Sequence, residues 1–256
     1  MRADMAVTRR KPKLRVGKVR GMAAVSDARL PDQGPRGFIE LSETDVAPAP
    51  VEAVVFDLGG VLIAWDPLRA ITKAVGAEQA TRFLADEGFN FMAWNHQQDA
   101  GRSWLEGEAL ALASHPHWER AIRGYRENFS DSLVGEIEDT VQVLRDLHAA
   151  GIRLLALTNW SKEFFPVALH RFAFLGLFED IIVSGEEGVA KPDPEIFEIL
   201  QRRIGHSLAG CLFIDDSPHN IKAASDAGLD TILFRDTGHL RVDLAVHGLP
   251  LSPPID

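Results

Sequence analysis

Cysteine is almost absent from this chain, and long hydrophobic runs are missing. Cys211 is the only cysteine among 256 residues, so the chain cannot form an intrachain disulfide. This cysteine usage fits a reducing compartment, and we expect a cytoplasmic protein. No apolar run approaches the roughly 20 residues that a membrane span needs, and no apolar stretch follows the basic start as it would in a secretory signal. The sequence therefore predicts no membrane partner.

Positive charge is scarce outside the first residues. Residues 1–21 carry eight basic and one acidic side chain, a net of +7. The whole chain has a formal net charge of −10, so removing this +7 leaves −17 on the rest. A body this acidic repels the phosphates of nucleic acids, and we expect no nucleic-acid partner. Residues 1–50 also lack hydrophobic periodicity and end in "VAPAP", which predicts a disordered extension.

The pattern changes at Val51. Five short runs of β-branched and apolar residues predict buried parallel strands: "VEAVVF", "IRLLALT", "DIIVS", "CLFID" and "DTILF". Helical patterns separate the later runs, so the alternation predicts an α/β fold with a Rossmann-like parallel sheet. Residues 66–150 contain no run of comparable strand character and are typical of several helices. We therefore predict a core of residues 51–65 and 151–256, and an inserted all-helical cap of residues 66–150 whose last helix returns the chain to the core.

Polar side chains follow four of the predicted strands. In open α/β sheets, ligands bind beyond the carboxyl ends of the strands. Carboxylates at such an edge repel one another unless a cation joins them, and their hard oxygens suit Mg²⁺. A hydroxyl and a lysine beside a metal favour a phosphate site. Each residue alone also fits a helix cap or a turn, but their joint placement favours a functional site. The residues are Asp57, Thr158, Asn159, Lys191, Asp215 and Asp216.

The segments around these residues resemble a known family. "FDLGGVL", "LTN", "KPDP" and "FIDDS" occur in the order found in the haloacid dehalogenase-like hydrolase superfamily, in its branch with a helical cap between the first two motifs. The similarity spans about Val51 to Phe234. The sequence around the motifs is also similar to that of a bacterial subgroup that includes sugar-phosphate phosphatases such as glucose-1-phosphate phosphatase. The resemblance implies a Mg²⁺-dependent phosphohydrolase that acts on a small phosphorylated metabolite such as a sugar phosphate.

The resemblance also implies a role for each motif residue. Asp57 matches the nucleophile that forms an aspartyl-phosphate, and Thr158 and Lys191 match the groups that bind the phosphoryl oxygens. Asn159, in the same motif as Thr158, is expected to contact the substrate. The metal ligands implied are Asp57, the main-chain carbonyl of Gly59, Asp215 and Asp216.

Gly59 departs from the pattern of the family's phosphatases. These enzymes usually carry an aspartate two residues after the nucleophile, which protonates the leaving oxygen. Such general acid–base help is worth about 10²–10⁴-fold, and glycine cannot supply it. Asp66, His96 and Asp99 are candidate substitutes and substrate contacts, although Asp66 also fits a helix cap and the other two fit a solvated helix face. Trp65 and Trp160 follow the first two motifs, where they either wall a pocket or pack in the core.

Two alternative functions follow from the absence of an aspartate at position 59. Haloacid dehalogenases also lack the second aspartate and act without metal, so a metal-independent 2-haloacid dehalogenase is one alternative. A non-catalytic relative is the other. The adjacent pair of Asp215 and Asp216 argues against the dehalogenase, because like charges this close clash without a cation. Every other catalytic position is filled, which argues against the non-catalytic relative. Asn220 either braces this acidic pair or lies on a solvated helix face.

Overall fold

The computed structural model describes residues 50–252, so the extension predicted for residues 1–50 lies outside the described residues except for Pro50. Five strands form one parallel sheet in the order β5-β4-β1-β6-β7, which confirms the α/β prediction, and two form a separate antiparallel ribbon. The strands are β1 Ala53–Phe56, β2 Ile63–Trp65, β3 Leu133–Glu136, β4 Arg153–Thr158, β5 Asp180–Val183, β6 Cys211–Asp215 and β7 Asp230–Leu233.

The central strand β1 is buried on both faces. Val54 and Phe56 pack into one apolar layer, and Ala53 and Val55 pack into the other. Burial on both faces explains why the strand is a continuous apolar run rather than an alternating one.

Helices cover both faces of the sheet and build the insertion. They are α1 Pro67–Val75, α2 Ala77–Leu84, α3 Phe91–Asp99, α4 Trp104–Ser114, α5 Glu119–Glu127, α6 Phe129–Ser132, α7 Glu138–Ala149, α8 Phe165–Arg171, α9 Ser184–Glu187, α10 Pro194–Ile204, α11 Pro218–Asp226 and α12 Thr237–Val246. Gly205 caps the C-terminus of α10 at a φ of +87°, a conformation that favours glycine. Among the helices described, none is both long and apolar enough to cross a bilayer.

The inserted cap consists of α1 to α6 around an aromatic centre. Phe83, Phe91, Trp94, Trp104 and Tyr125 are buried there, with ring centroids of neighbouring pairs such as Phe91 and Tyr125 5.0 Å apart. Because the rings meet largely edge to face or tilted, the packing gains from ring quadrupoles as well as from buried area.

A short strand inside the insertion was not predicted. Leu133–Glu136 pairs antiparallel with Ile63–Trp65, so the prediction of no strand within residues 66–150 is wrong at this point. Only Leu133 and Val134 precede Gly135, and so short a run has little strand character of its own. Pairing with a distant partner, Glu136 with Ile63 and Leu133 with Trp65, decides the structure. The ribbon joins the cap to the core, and α7 then returns the chain to the sheet.

Candidate active site

The predicted strand-end residues meet at one edge of the sheet. Asp57 directly follows β1 and donates its backbone N–H to the carbonyl of Ile214 in β6 at 2.8 Å. Thr158 is the buried last residue of β4, and Asp215 is the buried last residue of β6. Since β4 and β6 flank β1 on either side, the three side chains share one edge. This edge is where open α/β sheets bind ligands.

Lys191 is the buried centre of this edge. Its Nζ lies 3.0 Å from Asp57 Oδ1 and 2.6 Å from Asp215 Oδ2, and it donates to the carbonyl of Leu157 at 2.8 Å. Burial alone would lower the pKa of Lys191, but the two carboxylates outweigh burial and raise it. The ammonium therefore stays charged and holds both carboxylates in place.

Asn159 positions the lysine through two backbone contacts. Its Oδ1 accepts from the Lys191 backbone N–H and its Nδ2 donates to the Lys191 carbonyl, each at 2.8 Å. These bonds tie the loop after β4 to the segment that carries Lys191. Asn159 also lines the cavity, but its side-chain polar atoms are engaged by the protein.

Three carboxylates form a candidate metal centre. Oxygens of Asp57, Asp215 and Asp216 lie within 4.8 Å of one another. Asp215 is fixed by the backbone N–H of Ser217 at 2.8 Å and by Asn220 Nδ2 at 3.0 Å, so Asn220 braces the acidic pair. Within residues 50–252, Lys191 is the one cation that pairs with these carboxylates, so they have excess negative charge, and oxygen-only ligands suit Mg²⁺.

The electrostatics of Asp57 point to the same need for a cation. Burial raises the pKa of Asp57 to about 7; Lys191 opposes this rise, while Asp215 and Asp216 add to it. A divalent cation among these carboxylates would favour the ionised form of Asp57. The residues present therefore fit a magnesium site.

The two glycines after Asp57 differ in the space around them. Gly60 has a φ of +77°, and a Cβ there would clash with Asp216 Oδ2, so only glycine fits. A Cβ on Gly59, in contrast, would meet no atom within 4 Å. The missing aspartate at position 59 is therefore not explained by lack of room.

A cavity of about 360 Å³ lies between this edge and the cap. The cap brings His96 and Asp99 to the cavity, as predicted. Asp66 is not in the wall; it accepts from the backbone N–H of Leu68 at 2.9 Å and caps α1, so we do not retain it as a substrate contact. Thr158 and Lys191 lie beneath the cavity floor rather than in its wall. The lining residues are Asp57, Gly59, Gly60, Trp65, Met92, Asn95, His96, Asp99, Trp104, Tyr125, Phe129, Asn159, Trp160 and Asp216.

Asp99 joins the cap to the core. Its Oδ2 accepts from Asn95 Nδ2 at 2.9 Å, and its carbonyl accepts from Ser184 Oγ at 2.6 Å. Burial raises the pKa of Asp99 to about 7, although hydrogen bonds from the Ser161 backbone and from Asn95 oppose the rise. The carboxyl group thus sits in the cavity wall with a pKa suited to proton transfer near neutral pH.

Further contacts close the cap onto the core. Trp104 donates its backbone N–H to Glu163 Oε1 and its Nε1 to Ser161 Oγ, both at 2.8 Å. At Gly101 the main chain of the cap approaches the main chain of the core, since a Cβ on Gly101 would lie 3.0 Å from the Cα of Gly188. We did not predict these contacts. Ser161 and Glu163 follow the second motif closely, but nothing in the sequence pairs them with a tryptophan more than 50 positions earlier.

Residues 51–228 match the family described as haloacid dehalogenase-like hydrolase. A phosphoglycolate phosphatase from Vibrio vulnificus is 28% identical over 188 residues, which cover 70% of this chain and 81% of the relative. A sesquiterpene phosphatase from Aspergillus oryzae is 27% identical over 186 residues, 73% of this chain and 91% of the relative. A haloacid dehalogenase (HAD) family enzyme from Bacteroides thetaiotaomicron, solved with magnesium and inorganic phosphate, shares the fold, with a TM-score of 0.57, 24% identity, and coverage of 74% of this chain and 98% of that one. The chain belongs to the haloacid dehalogenase-like hydrolases.

Proposed function

We propose that this protein is a Mg²⁺-dependent phosphohydrolase that acts on a small phosphorylated metabolite through an aspartyl-phosphate. One observation carries the proposal. Asp57 lies 3.0 Å from the buried Lys191 and within 4.8 Å of the carboxylates of Asp215 and Asp216, and the single charge of Lys191 cannot neutralise all three carboxylates. A nucleophile, a buried cation and an oxygen-only metal site then meet at one edge of the sheet, next to the cavity.

Each residue of the site has a separate role in phosphoryl transfer. A carboxylate oxygen of Asp57 forms a bond to phosphorus while the bond from phosphorus to the leaving oxygen breaks, and water then hydrolyses the aspartyl-phosphate. Lys191 and the Thr158 hydroxyl bind phosphoryl oxygens, and Asn159 keeps Lys191 in place. Mg²⁺ held by Asp57, Asp215, Asp216 and the carbonyl of Gly59 would supply charge neutralisation between nucleophile and phosphate.

The relatives support the phosphatase over the alternatives. Two of the curated relatives are named phosphatases, and a structural relative was solved with magnesium and phosphate. The acidic pair of Asp215 and Asp216 beside Asp57 has no use in a metal-independent dehalogenase, where it would only add repulsion. The arrangement of Lys191 between two carboxylates also argues against a non-catalytic relative.

Gly59 restricts the substrates that such a site can process quickly. Without an acid at this position, the enzyme depends on leaving groups that depart without full protonation. Aryl, acyl and anomeric sugar phosphates meet this condition better than simple alkyl phosphates. A sugar phosphate with an anomeric linkage is therefore our preferred substrate type.

The test is loss of phosphate release in an Asp57→Asn variant. We expect its turnover of an aryl phosphate to fall below about one per cent of wild type, because an amide is not a competent nucleophile here. Chelation of Mg²⁺ should have a similar effect. Asp226→Asn serves as the matched control, since Asp226 is exposed on α11 and pairs only with Lys222 among the described contacts. Full activity in excess chelator, together with halide release from a 2-haloacid, would contradict the proposal and support the dehalogenase.

A further inference from the structure

The cap side of the cavity offers no strong cation to a substrate. Among the described residues that line the cavity, there is no lysine or arginine, and His96 is the one side chain there that can become positive. Asp99 adds a carboxyl group to the same wall. Lys191 is buried beneath the floor and is already bonded to two carboxylates. An anionic group placed against the cap would therefore meet negative rather than positive charge.

The same wall is unusually aromatic. Trp65, Trp104, Tyr125, Phe129 and Trp160 all line the cavity. Aromatic faces of this kind stack on flat rings and on the C–H faces of sugar rings, and they bury a large apolar area in either case. The shape and chemistry of the wall thus favour a leaving group that contains a ring.

Two polar atoms in this wall are buried without a hydrogen bond, the Tyr125 hydroxyl and Trp160 Nε1. Trp65 and Ser132 approach the Tyr125 hydroxyl and partly oppose the strong rise in its pKa that burial causes, but neither makes a well-formed hydrogen bond with it. Buried donors without partners are rare and costly, and each therefore calls for an explanation. A ligand in the cavity provides one, since an indole N–H needs an acceptor and a phenol can donate to the same kind of atom.

On the basis of the proposed phosphatase function, we propose that the cap wall selects an uncharged leaving group that carries a ring and an additional acceptor oxygen, to which Tyr125 and Trp160 donate hydrogen bonds. The wall rejects a leaving group that carries a carboxylate, because that group would lie beside Asp99 with no lysine or arginine among the lining residues to balance it. This preference differs from the chemistry of phosphoglycolate, the substrate in the name of the Vibrio relative.

Two matched substrate pairs test the proposal on the full chain with Mg²⁺. The first is 3-(hydroxymethyl)phenyl phosphate against 3-carboxyphenyl phosphate, with phenyl phosphate as the ring that lacks an extra oxygen. The second is glucose 1-phosphate against glucuronic acid 1-phosphate. In at least one pair, we expect kcat/KM for the neutral substrate to exceed that for the carboxylate about tenfold, the factor that corresponds to 1.36 kcal/mol. The pair that shows the larger ratio identifies whether the ring is aromatic or a sugar.

Tyr125→Phe and Trp160→Phe test the two donors while keeping a ring in place. Each should lower the preference for the hydroxylated aryl substrate over phenyl phosphate by about 3- to 10-fold, the usual net effect of one hydrogen bond. Neither should lower the melting temperature through a lost polar contact, because the atom removed has no partner in the folded protein. Trp118→Phe is the matched control, since Trp118 lies outside the cavity wall and bonds Asp86.

Three results would count against the inference. Equal kcat/KM for neutral and carboxylate substrates in both pairs would overturn it. An unchanged preference in both Tyr125→Phe and Trp160→Phe would also overturn it, while Mg²⁺-dependent hydrolysis of phenyl phosphate would leave the proposed function standing. Failure to hydrolyse all five substrates would instead overturn the proposed function and the inference together.

Discussion

At the scale of the residue, the most informative position is Gly59. A Cβ at this position would meet no atom within 4 Å, so a side chain can begin here without a clash. We predict that log turnover of the wild type falls steeply as the leaving-group pKa rises, and that Gly59→Asp flattens this line. The gain on simple alkyl phosphates could reach about 10²-fold, the lower end of general acid–base catalysis. Gly59→Ala is the control, because it fills the space without adding an acid.

A flat wild-type line would mean that another group already donates the proton, and Asp99 would then be tested first. Its pKa of about 7 lies well above the ordinary value for an aspartate. The protonated acid is populated below this pKa, so activity that depends on it would fall as the pH rises through about 7. Asp99→Asn would remove that alkaline decline, and kcat measured from pH 5 to 9 would show it.

At the scale of the element, the contact between α4 and the loop after β4 fixes how the cap closes. We predict that Trp104→Phe lowers the free energy of unfolding by about 1 kcal/mol, because the buried hydroxyl of Ser161 loses the indole donor and keeps only the longer bond, 3.3 Å, from the backbone N–H of Glu163. Trp160→Phe makes the same chemical change at an indole without a hydrogen-bond partner, so it should not lower the free energy of unfolding through a lost hydrogen bond. Denaturant unfolding of both variants makes the comparison, and equal losses would refute the assigned role of the Trp104–Ser161 bond.

Elements differ in how well their sequences predicted them. The three inner strands β1, β4 and β6 were recognised because they are buried along nearly all of their length and need a continuous apolar run, as in "CLFID". The edge strand β7 has one buried residue, Ile232, and was recognised from its β-branched and apolar residues. Asp57, Thr158 and Asp215 were recognised because each lies at the end of such a run, whereas Lys191, in the loop after α9, was recognised from its "KPDP" motif. The ribbon strand Leu133–Glu136 was missed, since its pairing depends on a distant segment rather than on its own residues. Trp65 and Trp160 both line the cavity, which agrees with the expectation that they either wall a pocket or pack in the core. The lack of a hydrogen-bond partner at the Trp160 indole and the Tyr125 hydroxyl was not predictable, because it becomes evident only when the surroundings are known.

At the scale of the whole molecule, the described fold begins close to Val51. Glu52 donates its backbone N–H to the carbonyl of Gly210 at 2.8 Å, and β1 starts at the next residue. We predict that a chain beginning at Val51 keeps its melting temperature and its turnover of an aryl phosphate, because residues 1–50 have no periodic apolar face to contribute to a core. Misfolding of the shortened chain, or loss of turnover, would show that this prediction for the extension is wrong.

The contact at Gly101 and Gly188 has an evolutionary consequence. Cap and core touch there through main-chain atoms, which are the same whatever side chains the cap displays elsewhere. Mutations that remodel the pocket can accumulate on α3, α4 and α5 without disturbing this point of docking. One part of cap closure is thereby independent of the pocket side chains, whereas the bond from Trp104 on α4 to Ser161 ties another part of closure to a residue that lines the pocket.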